Sequence, residues 1–170
     1  MRKTEQYIQP GLMGFLMKVM TGLFSGRNNS DLNRKAAEEN LPVYQGKIEV
    51  EKYVMIKENK VKSSHDYLFK TPDEILKILN HGTLLWVDEK NDLLGYSCTE
   101  RTKLFVLSEV KGFEIQNMLP AKGAGYSWMS LCLLNGTSCE IADATFEKYA
   151  DEIRQITGVA VTVLPEYYNC

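Results

Sequence analysis

Histidine is scarce in this sequence: His65 and His81 stand against four cysteines, Cys98, Cys132, Cys139 and Cys170. None of the cysteines belongs to a C-x-x-C pair, so the ligand spacing of a structural zinc site is missing. Long apolar runs are missing too. No stretch reaches the roughly twenty apolar residues that a membrane-spanning helix needs. The amino-terminal run does not read as a signal peptide, because Glu5 and Pro10 precede it and Lys18 interrupts it. Strong charge of either sign is absent. Twenty basic and 22 acidic residues leave a formal net charge of −2, which argues against a general nucleic-acid binder, since displacing counterions takes a dense cationic face. No dinucleotide fingerprint, P-loop, internal repeat or low-complexity tract occurs. The resulting expectation is a cytoplasmic protein with reduced thiols and neither metal nor cofactor.

What is present is ordinary for a folded domain. Hydrophobic residues make up 44% and charged residues 25% of the 170 positions, values that exclude wholesale disorder. The length suits one domain with an appendage. Charge is unevenly placed: residues 1–70 carry twelve basic and eight acidic side chains, and residues 71–170 carry eight and fourteen. Such asymmetry can orient a partner or a self-contact.

The most informative stretch runs from Trp128 to Leu164. Leu131–Leu134 is apolar, Asn135-Gly136 is a two-residue turn signal, and Thr137–Ile141 returns alongside. That register pairs Leu134 with Thr137 and sets Cys132 opposite Cys139. A helix over 143–157 follows from Phe146, Tyr149, Ala150, Ile153 and Ile156, with Gly158 to close it. Val159, Val161 and Val163 then read as a strand.

At the other end, residues 12–24 (LMGFLMKVMTGLF) form an amphipathic helix with a narrow polar side. Leu12, Phe15, Leu16, Met20 and Phe24 on its apolar side are the candidate interface, for a homo-oligomer or for a protein partner. Packing on the chain's own sheet is the plain reading of such a stripe, and a membrane surface is the third, weakened by a single lysine within the helix. Residues 25–42 are a polar connector, which divides the chain into an appendage over 1–42 and a domain over 43–170.

Within that domain, Lys47–Lys57 alternates and is expected to form a hairpin with 61–69, Ile56 facing Val61. Thr71-Pro72-Asp73-Glu74 has the capping-box pattern, with Thr71 as N-cap of a helix over 71–80. His81 then meets that helix's carboxyl end. Leu84–Val87 and Leu93–Ser97 form a second hairpin. Leu104–Leu107 and Phe113–Ile115 form a third around Lys111-Gly112. The expected fold is α+β, a mainly antiparallel sheet of about seven or eight strands with helices at 71–80 and 143–157.

Function has to be argued from what converges. Ser64-His65-Asp66 lists triad residue types in a row, but adjacent strand residues point to opposite faces. No nucleophile and base, and no set of metal ligands, assemble at workable spacing. The leading reading is a non-catalytic binding protein acting through self-association and capture of a macromolecule or small ligand. Its candidate anchors are Tyr96, Arg101, Tyr126 and Trp128, with Trp86 as either anchor or core. Lys122, in the glycine-rich 121–125 loop, is the cation that would meet an anionic small ligand near 121–126. The alternatives are a small cysteine enzyme, with Cys98 as nucleophile and His81 or His65 as base, and a peripheral membrane protein anchored by residues 12–24.

Overall fold

β-Branched and aromatic residues in alternation account for most of this molecule. A computed structural model describes residues 40–57, 60–61, 67–120, 125–143 and 146–169. The candidate interface of residues 12–24, His65 and Lys122 lie outside the described residues.

Among the described residues there are eleven strands. They are β1 (Lys52–Ile56), β2 (Lys60–Val61), β3 (Leu68–Lys70), β4 (Thr83–Asp88), β5 (Leu93–Ser97), β6 (Arg101–Val106), β7 (Val110–Pro120), β8 (Tyr126–Leu133), β9 (Ser138–Asp143), β10 (Ala160–Val163) and β11 (Tyr167–Asn169). Two helices join them, α1 (Asp73–Ile78) and α2 (Ala150–Thr157), with 3₁₀ turns at Leu107–Glu109 and Glu147–Tyr149. The fold is α+β, rich in sheet, and mostly antiparallel.

The single expected sheet is in fact two. The first has the order β1-β4-β5-β6-β3 and is antiparallel throughout. The second has the order β10-β7-β8-β9-β2, with β11 also on β7; β10 and β11 run parallel to β7, so this sheet is mixed. The two sheets face each other across one core. Val54, Ile56, Leu85, Val87, Leu94, Tyr96 and Phe105 come from the first sheet, and Phe113, Ile115, Met129, Leu131, Leu133 and Ile141 from the second. Phe146 and Ile153, both fully buried, bring α2 and its approach into the same cluster. Arg154 Nη2 donates to the Val161 carbonyl at 3.1 Å and ties α2 to β10.

Two sequence-based strand pairings are overturned. β1 does not fold back on 61–69 but pairs with β4, Ile56 facing Thr83. β2 pairs instead with β9 and β3 with β6, so the chain changes sheets between them. Alternation shows which side chains share a face, and β4 offered β1 an apolar face as good as the expected one. Likewise β6 and β7 do not pair; the turn at Leu107–Glu109 carries the chain from one sheet to the other.

The Asn135-Gly136 hairpin forms, but with Leu133 N–H donating to the Thr137 carbonyl at 2.8 Å across a three-residue loop. Gly136 takes φ +87° and Asn135 Oδ1 accepts from Thr137 N–H. This is a turn closed by a left-handed glycine, and it shifts the register by one residue. Cys132 therefore faces Ser138, and Cys139 faces Leu131. Since a one-residue slip sends a side chain to the other face, Cys139 is buried between the sheets and Cys132 lies on the outer face.

The helices are shorter than expected. Thr71 does not cap α1. It is buried, and its Oγ1 donates to the Cys98 carbonyl at 2.7 Å, so Pro72 occupies the cap position without a side-chain bond. Because α1 ends at Ile78, His81 is exposed beyond its last turn and the expected dipole contact is not made. β9 runs on to Asp143 because β8 and β2 both pair with it there, leaving α2 to start at Ala150. Gly158 closes α2 as expected, at φ +70° with its N–H on the Arg154 carbonyl.

Candidate binding face

Strand β8 alternates without a break: Ser127, Met129, Leu131 and Leu133 are buried, and Tyr126, Trp128, Ser130 and Cys132 point the other way. The outward set forms the middle row of the second sheet's outer face. Its neighbours on β7 are Met118 beside Tyr126, Gln116 beside Trp128 and Glu114 beside Ser130. On β9, Glu140 stands beside Ser130 and Ser138 beside Cys132. A bulge separates the Met129–Ala142 and Ser130–Glu140 pairs, and its extra residue, Ile141, turns inward with Ala142. Bulges bend and re-aim a strand locally, and this one lies next to Trp128.

Tyr126 and Trp128 are brought together. Their ring centroids lie 5.5 Å apart at an interplanar angle of 34°. Tyr126 is 54% exposed, comparable to Tyr53 at 51%. Gln116 supports the row from beside it: its Nε2 donates to the Pro165 carbonyl at 2.9 Å and to the Asn117 carbonyl at 3.1 Å. The amide is thus committed to backbone and holds β7 against the segment that joins β10 to β11.

The other sequence-based anchors lie elsewhere. Tyr96 is 1% exposed, packs edge-on to Phe146, and bonds its hydroxyl to Thr83 Oγ1 at 2.7 Å. Burial pushes its phenol well above the usual tyrosine range. It is a core residue and not a surface anchor. Trp86 is fully buried, its Nε1 donating to Ser97 Oγ at 2.8 Å. Arg101 opens β6 in the first sheet, its side chain 14% exposed and 3.7 Å from the Glu100 carboxylate.

Of the cysteine-enzyme candidates, Cys98 and His81 are among the described residues. Cys98 is half-buried at the end of β5, its N–H on the Arg101 carbonyl, and no hydrogen bond joins it to the exposed His81. Burial, with the Glu114 carboxylate nearby, pushes the Cys132 thiol up, which suppresses its thiolate. Among the described residues no group of three His, Cys, Asp or Glu is placed to hold a metal ion. No helix among them is long and apolar enough to cross a membrane.

Sequence reasoning missed two polar residues that shape this molecule. Asp88 is fully buried and accepts from the N–H groups of Glu49 (2.6 Å) and Asn91 (3.0 Å). Its position at the start of a polar hairpin tip, where Asp side chains bond nearby backbone N–H groups, was the signal in the sequence. Lys103 is also fully buried. Its parity with Phe105 on the same strand was the available sign that it points inward.

A family model described as the PM0294 C-terminal domain matches residues 40–168. No solved structure matches the chain.

Proposed function

We propose that this chain, which belongs to the PM0294 C-terminal domain family, is a non-catalytic binding protein that works by self-association and by holding a partner on the outer face of its second sheet. One observation carries the reading: Tyr126 and Trp128 stand on successive outward positions of β8, close together and with Tyr126 largely in solvent. Exposed tyrosine and tryptophan supply rigid contact area at low entropic cost. Their backbone is fixed in the centre of a sheet, so the pair is pre-organised and binding need not order it. Residues 12–24 supply the self-association surface in this reading, because their apolar side is too wide to leave in water.

Sedimentation velocity over a concentration series tests the self-association, comparing the full chain with the chain lacking residues 1–26. The full chain is expected to associate and the shortened one to lose mass or solubility. Affinity capture from the native host tests the face, with the parent, Tyr126→Ala and Trp128→Ala as baits. Each substitution, and Lys122→Glu, should weaken the retained partner by roughly tenfold or more, the loss of about 1.4 kcal/mol expected at an anchor. A full chain that stays monomeric, with capture unchanged by all three substitutions, would remove the proposal.

A further inference from the structure

We propose that Asn135-Gly136, at the tip of the β8–β9 hairpin, is a self-modifying site, at which Asn135 loses its side-chain amide through a succinimide and becomes aspartate or isoaspartate. Three observations meet at this turn. Asn135 is exposed, as are Leu134, Gly136, Thr137 and Ser138 around it. Gly136 bears no side chain, and a Cβ built on it would meet nothing within 4 Å, so the peptide that must close the ring is unobstructed. Asn135 Oδ1 accepts from Thr137 N–H at 2.9 Å, which folds the asparagine side chain back across the Gly136 peptide.

That hydrogen bond raises this turn above a bare sequence pair. Ring closure places negative charge on Oδ1, and Thr137 N–H already stands in the range of about 2.7–3.1 Å at which a donor stabilises an oxyanion. The attacking Gly136 N–H is held by the Leu133 carbonyl at 3.0 Å, so the tip first opens at that one bond. Such opening is local, because the loop is exposed from Leu134 to Ser138. Other asparagines of the molecule lack these features. Asn91 precedes Asp92, and its Nδ2 donates to Asp88 Oδ2 at 2.7 Å. Asn117 precedes Met118 within β7, and its Nδ2 donates to Glu147 Oε2 at 3.1 Å. In both, the attacking residue carries a side chain and the leaving amide is held in place.

The reaction needs water and no other reagent. Gly136 N gives its proton to solvent and attacks Asn135 Cγ, and the C–N bond forms while Oδ1 takes the charge. The bond from Cγ to Nδ2 then breaks, and Nδ2 takes up protons and leaves as ammonia. Water opens the resulting cyclic imide at one of its carbonyls. Attack at Cγ gives aspartate; attack at the backbone carbonyl carbon gives isoaspartate. One asparagine and one water thus give one acidic residue and one ammonia. Either product adds a negative charge to the tip. Isoaspartate also routes the chain through Cβ and Cγ, lengthening the loop whose Leu133–Thr137 bond sets the β8–β9 register.

The test incubates the full, folded chain in mildly alkaline heavy-oxygen water and maps its peptides by mass spectrometry at intervals. Digestion follows in ordinary water, so that only conversions made in the folded protein carry the heavy oxygen, and circular dichroism checks that the chain stays folded. Protein isoaspartyl methyltransferase reads the isoaspartate. Loss of amide is expected at Asn135, with isoaspartate at the same position, while Asn91 and Asn117 keep theirs. Gly136→Ala should slow the conversion at least several-fold, since its methyl group hinders the attacking nitrogen. If that variant fails to fold, the order of conversion among the parent's asparagines decides the matter. Asn135 retained throughout, converted no faster than Asn91 and Asn117, or converted equally fast in a folded Gly136→Ala variant overturns the proposal.

Discussion

Replacing Gly95 by alanine should be among the most damaging one-carbon changes in this protein. Gly95 lies directly across from Trp86 in the β4–β5 pair. A Cβ built there would fall 2.1 Å from Cε2 and from Cζ2 of the indole, and 2.5 Å from Nε1. Ordinary carbon contacts lie at about 3.5–4.0 Å, so the ring must move by more than an ångström. It has nowhere easy to go. Trp86 is fully buried, and Nε1 is held by Ser97 Oγ, which also accepts from Thr102 Oγ1 at 2.7 Å. Overpacking costs about 1–3 kcal/mol, and leaving the buried N–H unpaired adds about 1–3 kcal/mol. The lower chain entropy of alanine returns only about 0.4–1 kcal/mol. The expected net loss is about 3 kcal/mol, a fall in Tm of roughly 6–12 °C for a chain of this size. Urea unfolding followed by far-UV circular dichroism measures it. Trp86→Phe removes the atoms that clash, so Gly95→Ala should cost about 1–2 kcal/mol less in that background. An unchanged midpoint in the single variant, or an equal cost in both backgrounds, would refute the argument.

The other predictions concern the turns and one ion-pair cluster. Gly136→Ala meets nothing within 4 Å, so its cost is the strain of alanine at φ +87° alone, about 1 kcal/mol, and Trp86→Phe should leave that cost unaltered. Asp88→Ala strips the acceptor from Glu49 N–H and Asn91 N–H and should cost about 2 kcal/mol in the same denaturation assay. Hydrogen bonds from Lys47 and Lys90 hold the Glu49 carboxyl down at about 2, from an ordinary 4.5. Because that pKa is depressed in the folded state, its contribution is complete above about pH 4.5 and is lost as pH falls toward 2. An NMR titration of the Glu49 carboxyl should show this midpoint, and high salt should move it back toward 4.5.

Local signals located several turns and helices, though not their exact caps or register. The polar tip at 89–92 set the β4–β5 hairpin, the Asn135-Gly136 pair set the β8–β9 hairpin, and the periodicity ending at Gly158 set α2. In each case the partners are close in the chain, so turn chemistry and side-chain period are enough. Residue type alone marks Tyr126 and Trp128 as anchors, and the structure puts them on successive outward positions of β8. Tertiary structure decided everything that needed a distant partner. Alternation along residues 52–56 says which side chains share a face, but not that β4 rather than 61–69 lies beside them. It also fails where both faces are covered, as along β4 and β5, every residue of which is buried. Tyr96 and Trp86 lie on those strands, so neither could be told from a surface anchor by its spacing. The meeting of Lys103 with Cys139 lies furthest from the sequence. Two sheets, a bulge and a one-residue change of register all precede it, and each is settled by packing across the core, where burial energy is gained only when both faces are in place.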